Sequence, residues 1–269
     1  MTKLERLNIE IHKRGVLTSD ELLELASEVL ENEELDYRYL YTEYLQKLLK
    51  RGKIVRPRRG IYVAVDPTSD TIGKDYRYII ASKIREKYYL GFHTALELHG
   101  SAYSWFKMVT ICIPHGSQFR PFEFKGSKYV PVSTSHPNEG IETISRRGHR
   151  LIISNPTRTF LDCLDRPQLA GGWEEVLKSL SSLPGVKGEE LLSMLGSFDL
   201  KVLYRKVGYV LDILETNPYY EGILEEVKDP LLEKTRGAPV YMDRNHPGHY
   251  NERWNIYLIP DMERMLEGI

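Results

Sequence analysis

The chain has 269 residues, enough for one large or two ordinary domains, and 41% hydrophobic with 28% charged residues is a globular balance that can bury a core. A formal net charge of -1 excludes a polycation that coats nucleic acid with its whole surface, so any nucleic-acid contact has to come from local segregation of charge. Cys112 and Cys163 lie far apart without CxxC spacing, which excludes a disulfide framework and fits a reducing cytoplasm. No run approaches the roughly 18 apolar residues of a membrane span, and the start MTKLERLNIE lacks the apolar stretch of a signal peptide.

Residues 3–14 are expected to form a helix with Leu4, Leu7 and Ile11 on one face, stopped by Gly15. Thr18 and Glu21 have the spacing of a capping box, and Leu22, Leu25, Ala26 and Val29 follow at helical intervals. Asp36 is a candidate N-cap for a third helix running to about Lys50, with Tyr37, Leu40, Tyr41, Tyr44, Leu45 and Leu48 on its apolar side. Two short strands, Lys53–Arg56 and Gly60–Val65, flank a turn at Pro57-Arg58-Arg59. Three helices followed by a two-stranded hairpin is the order of a winged helix-turn-helix. Asp66-Pro67-Thr68-Ser69-Asp70 has the composition of a linker.

Beyond it, helices are expected at 75–87 and 93–99, and strands across 108–153. Helices then return at 157–165, 172–182, 188–196 and 200–215. A further short helix and two strands, near 239–242 and 253–259, complete the pattern. The fold class is α+β: an N-terminal winged helix-turn-helix over residues 1–66 and a larger mixed α/β domain over 71–269.

Charge is segregated along this pattern. Residues 50–65 read KRGKIVRPRRGIYVAV. Between positions 38 and 59 stand Arg38, Lys47, Lys50, Arg51, Lys53, Arg56, Arg58 and Arg59, against a single acid, Glu43. Residues 1–37 carry the opposite balance. Such a stripe is rewarded by counterion release from a DNA backbone. On a helical wheel Tyr39, Thr42, Glu43, Gln46 and Lys50 lie opposite the apolar side, with Arg38 at the edge. Arg38, Tyr39, Thr42 and Gln46 are therefore candidate base readers, since Arg suits guanine and Gln suits adenine. Lys50, Arg51, Lys53, Arg56, Arg58 and Arg59 are candidate phosphate contacts that fix register. Tyr37, Tyr41 and Tyr44 read as core.

Catalytic patterns are absent. None of Gly100-Ser101, Gly116-Ser117 and Gly126-Ser127 leads into the paired aspartates of a nucleotidyltransferase. Neither phosphate-binding glycine motif occurs. His246-x-x-His249 lies in a Pro/Gly loop without a third ligand, and His93 and His99, six apart, do not converge on one helix face. Asp162 and Asp165 read as helix-end or hydrogen-bonding residues. No catalytic residue, metal ligand or cofactor-binding residue is expected.

Four stretches, KRGKIVRPRRGIYV, YYLGFHTALELHG, SNPTRTFLDCLDRPQLAGG and YRKVGYVLDIL, occur in an order that resembles the AbiEi-type antitoxin and transcriptional-regulator family of type IV toxin–antitoxin systems, over roughly residues 35–215. The later YMDRNHPGHYNERWNIYLI is similar to that family's closing segment, with Ile259-Pro260 departing from it. The resemblance implies a cytoplasmic repressor that binds inverted repeats in double-stranded promoter DNA. It also implies a second domain that counteracts a nucleotidyltransferase-like toxin without a tight complex. Exposed polar residues of the matching motifs, His93, Glu97, Arg158, Asp162, Arg205 and Lys206, are then the candidate antitoxin surface, and Arg158 with Asp162 has the spacing of a helix ion pair. Two alternatives stand beside this. One is a ligand-responsive winged-helix transcription factor, distinguished by the absence of a neighbouring toxin gene. The other is a DNA-targeted nuclease or modification enzyme, distinguished by metal-dependent turnover.

Overall fold

A computed structural model describes residues 1–66, 75–262 and 264–266; Pro67-Thr68-Ser69-Asp70 of the expected linker lie outside them. The chain is mixed α+β and divides into two compact units. The first comprises residues 1–86 with two short segments, 123–127 and 145–151. The second holds the remainder.

The first unit is built by local signals. Helix α1 (Lys3–Arg14) opens on a capping box in which Thr2 and Glu5 each bond the other's backbone amide. It buries Leu7 and Ile11 and ends at Gly15, φ 75°. A Cβ at Gly15 would meet the Tyr76 hydroxyl at 2.7 Å, so space and backbone both demand glycine. Strand β1 (Val16–Thr18) leads into α2 (Ser19–Leu30), capped by Thr18 and Glu21 as expected. Asp36 caps α3, a continuous helical run over 37–50. Strands β2 (Ile54–Arg58) and β3 (Ile61–Ala64) complete an antiparallel sheet in the order β1-β3-β2. Leu7, Ile11, Leu22, Ala26, Leu40, Leu45, Leu48 and Ile54 form one core. Each large aliphatic side chain removed from water there contributes about 1.5–3 kcal/mol.

Two boundaries differ from the sequence expectation. The hairpin turn is at Arg59-Gly60, because Arg58 already pairs with Ile61. Pro57 instead sits where the β2–β3 register shifts between Val55 and Arg58, a place that does not need its missing N–H. Helix α4 (Tyr76–Ser82), expected as 75–87, packs beside β1, and the first compact unit thus continues to Glu86.

The second unit carries a mixed six-stranded sheet in the order β6-β7-β5-β4-β9-β8. Its strands are β4 (Tyr89–Leu90), β5 (Met108–Pro114), β6 (Phe122–Phe124), β7 (Ser127–Thr134), β8 (Ile141–Arg146) and β9 (His149–Ser154), with the tips of β6–β7 and β8–β9 grouped with the first unit. The parallel pairs are β5 with β7 and β4 with β9. Helices α5 (His93–His99), α6 (Pro156–Asp165), α7 (Trp173–Leu180), α8 (Gly188–Phe198), α9 (Lys201–Ile213) and α10 (Ile223–Glu233) supply most of the core, around Phe160, Leu164, Leu177, Leu203 and Val210. Three two-residue strands, β10 (Val240–Tyr241), β11 (Tyr250–Asn251) and β12 (Ile256–Tyr257), form a second small sheet. Gly208 of α9 lies against the buried Trp254 ring, where a Cβ would come within 2.2 Å.

Candidate nucleic-acid interface

Helix α3 presents the candidate base readers. Asp36 accepts from the amides of Arg38 and Tyr39 at 2.9 and 3.3 Å and fixes where the helix begins. The segment Tyr41–Leu45 is a π-helical turn. The wider turn brings Leu40 and Leu45, five residues apart, into the same core with Leu48. Tyr37, Tyr41 and Tyr44 pack at the edge of that core. The opposite side leaves Arg38, Tyr39, Thr42, Lys47 and Lys50 exposed and Gln46 half-buried. The predicted face therefore survives the altered helical phase. Thr42 donates its hydroxyl proton to the Arg38 carbonyl at 2.7 Å, which leaves its methyl and its lone pairs to meet a base edge. Glu43 pairs with Lys47 at 3.0 Å, so the single acid of the stripe is matched on its own helix.

The hairpin is tied to this helix. Ser19 donates its amide to the Gly60 carbonyl at 2.9 Å, anchoring the turn to the start of α2. The Tyr37 and Tyr62 hydroxyls meet at 2.7 Å, and Ser19 Oγ donates to Tyr37 at 3.1 Å. Burial, then the Tyr37 contact, pushes the Tyr62 phenol well above its usual range and keeps it neutral. The Arg56 guanidinium lies 5.9 Å from the Tyr41 ring and 5.6 Å from the Tyr62 ring, so a hairpin cation is held over α3 by two aromatic faces. Lys50, Arg51, Arg56 and Arg59 are exposed, and Lys53 and Arg58 are half-buried. This hydroxyl and ring scaffold was not legible beforehand, because Ser19, Tyr37 and Tyr62 have no telling spacing.

Five of the six residues expected as an antitoxin surface are instead buried, and the sixth, Glu97, is half-buried with its side chain 6% exposed, which is a correction. Arg158 is 2% exposed. Its Nε donates to Asp162 at 2.8 Å, Nη1 to the His136 and Glu139 carbonyls at 3.1 Å, and Nη2 to the Tyr89 hydroxyl and Thr134 Oγ1 at 2.8 and 3.3 Å. Burial raises the Asp162 carboxyl, and the Arg158 charge pulls it back. His93 stacks on Phe106 at 4.0 Å, with Nε2 3.0 Å from Glu175 and Nδ1 3.5 Å from Glu97. Glu97 also accepts from the Phe106 amide. Arg205 donates to the carbonyls of Ala238, Asn255 and Arg236, and Lys206 to that of Leu164. These groups satisfy internal carbonyls and carboxylates and form no exposed protein-docking surface.

His93 and His99 point to different partners, His99 lying 2.9 Å from the Ser154 carbonyl. Exposed His246 pairs with Asp243. Among the described residues, no group of three or more His, Cys, Asp or Glu is placed to hold a metal ion. No helix among them is long and apolar enough to cross a membrane.

No protein-family model matches the chain, and no curated protein matches it. Among solved structures it is similar to the crystal structure of the RV2827C protein from Mycobacterium tuberculosis. The TM-score is 0.67 at 16% identity, over 100% of this chain and 96% of that one. At that identity the likeness is one of fold.

Proposed function

We propose that the chain is a cytoplasmic, sequence-specific regulator that binds double-stranded promoter DNA through a winged helix-turn-helix. In this reading α3 enters the major groove and the β2–β3 hairpin is the wing. The observation that carries it is the joining of a row on α3, exposed Arg38, Tyr39 and Thr42 with half-buried Gln46, to the exposed cations Lys50, Arg51, Arg56 and Arg59 at the end of that helix and on the β2–β3 hairpin of the same unit. Charges grouped this way repel one another in the free protein and gain from a phosphate backbone. Binding needs neither catalytic group nor cofactor. Titrating the full chain against its own upstream DNA tests the reading. A saturable, salt-sensitive complex that outcompetes unrelated duplex supports it, and equal binding to both sequences would sink the specificity.

The antitoxin role rests on the sequence resemblance and belongs to the same proposal. With the side chains of His93, Glu97, Arg158, Asp162, Arg205 and Lys206 enclosed, direct docking through them is set aside, and repression of a nucleotidyltransferase-like toxin gene is the route left to neutralisation. Co-expression with a neighbouring toxin gene under a foreign promoter is the measurement. Rescue of growth there would overturn repression as the route.

A further inference from the structure

The second unit contains a cleft of about 630 Å³, within the size range of small-ligand sites, lined by Trp173, Lys206, Tyr241, Arg244, Asp165 and Asp243 among others. Two buried donors at this cleft are underused. Trp173 is 8% exposed and its indole N–H has no hydrogen-bond partner among the described residues. Lys206 is 6% exposed, and among the described residues its ammonium makes one hydrogen bond, to the Leu164 carbonyl, beside the Trp173 ring at 5.2 Å. An ammonium carries three N–H donors, and a buried donor without an acceptor costs about 1–3 kcal/mol. Burial accordingly holds the Lys206 ammonium below the usual lysine range, against the opposing pull of Asp165 and Asp243.

The charges around the cleft leave a positive remainder. Asp165 is paired with Arg166 at 3.3 Å. Asp243 lies 3.2 Å from His246 and accepts the Asn245 amide; with histidine neutral, Lys206, Arg244 and Arg166 exceed Asp165 and Asp243 by one charge. Neither Arg166 nor His246 lines the cleft. Arg244 is exposed and makes no ion pair among the described residues. The cleft also has an aromatic wall. Register places Tyr241, Tyr257 and Tyr250 in one row across the small sheet. Tyr241 stacks on Tyr257 at 4.8 Å, Tyr257 meets Tyr250 at 5.2 Å, and Tyr241 remains 41% exposed. The stack holds the Tyr241 ring in place and ends at the cleft.

We infer that this cleft binds a small aromatic anion, its planar ring against Tyr241 and its phosphate or carboxylate toward Lys206, Trp173 Nε1 and Arg244. The site lies wholly in the second unit, so its test is independent of DNA binding. Calorimetric titration of the full chain uses four probes: adenosine monophosphate, indole-3-acetate, adenosine and inorganic phosphate. One of the two aromatic anions should bind saturably, and which one does so separates a nucleotide from an aromatic acid. The neutral nucleoside and the bare ion should bind at least about tenfold more weakly, the scale of one hydrogen bond to a charged group. Arg244→Ala and Tyr241→Ala alter exposed side chains and should each weaken the bound probe by about tenfold, while Trp173→Phe removes the indole donor and should weaken it less. Phosphate binding as tightly as the nucleotide would reduce the site to an adventitious ion only and overturn the inference. So would saturation by neither aromatic anion, or an unchanged affinity in both the Arg244 and Tyr241 variants.

Discussion

Arg158 and Arg56 put the same guanidinium to opposite uses. In the second unit Arg158 is enclosed, and its N–H groups reach Asp162, Tyr89, Thr134 and two backbone carbonyls. In the first unit Arg56 is exposed and rests on two tyrosine rings. The difference is what each can offer a partner. A buried cation with its donors filled organises the chain around it and has nothing left to give. An exposed cation held by ring faces keeps its donors for solvent or for an anion. Positive charge along the sequence therefore does not define a binding surface until burial has sorted it.

The largest effect expected from this contrast is on stability. Arg158→Ala should lower the stability of the second unit by about 3–5 kcal/mol, because it strands the buried Asp162 carboxylate and several acceptors without their donor. Urea unfolding followed by circular dichroism measures it. A loss below about 1 kcal/mol would place the ion pair among the weak surface kind and break the contrast.

Next in size is base readout. Gln46→Ala should cost on the order of 1–3 kcal/mol at one operator position and little against unrelated DNA. Anisotropy titrations with singly substituted operators read this. Uniform weakening on every duplex would make Gln46 a positioning group and put the helix in a different rotation.

Smaller per residue is the phosphate term. Arg56→Ala and Arg59→Ala should each reduce the slope of log affinity against log salt by about 0.9. Arg205→Met alters a buried cation bonded to backbone carbonyls and should leave that slope alone, and a change in it would show that the second unit also touches DNA. The half-buried Arg58 is the less clean probe of the three hairpin arginines.

How much of this was legible differs between the two regions for a physical reason. The first unit is dictated by short-range signals. Thr18 with Glu21, Asp36, and the apolar spacing of α1 to α3 all act within a turn or two of themselves, and the structure has those elements where the residues place them. The π turn at Tyr41–Leu45 was hidden, because Leu40, Tyr41, Tyr44 and Leu45 fit an ordinary helical stripe equally well. In the second unit the decisive contacts are remote. His93 meets Glu175 across 82 residues, and Arg158 reaches Tyr89 across 69. The i, i+4 pairing of Arg158 with Asp162 was readable, but its burial was not. Strand β4, central in the sheet, has two residues and no period to detect. Polar residue types suggested surface where distant partners had made them core.

The smallest expected effect concerns a partly enclosed histidine in that same unit. His99 lies 2.9 Å from the Ser154 carbonyl, which places a proton on Nε2 as the donor. Burial lowers its pKa, while the Ser154 carbonyl and Glu142, 3.9 Å away, oppose the shift. The sign follows from proton counting. The folded protein holds the proton less well than the unfolded chain, whose histidine titrates near about 6.5. The stabilisation is thus fully present above that pH and is lost as pH falls below it. One full proton bounds the slope at about 1.36 kcal/mol per pH unit. His149, in the first unit, is shifted the same way by burial and contributes to the same window. Denaturation of the wild type between pH 7.5 and 5.5 should show falling stability, and His99→Gln should make that fall shallower. The lost bond to Ser154 lowers stability at every pH and does not alter the slope. An unchanged slope in the His99 variant would assign the acid sensitivity to His149, and with it to the unit whose charges face outward.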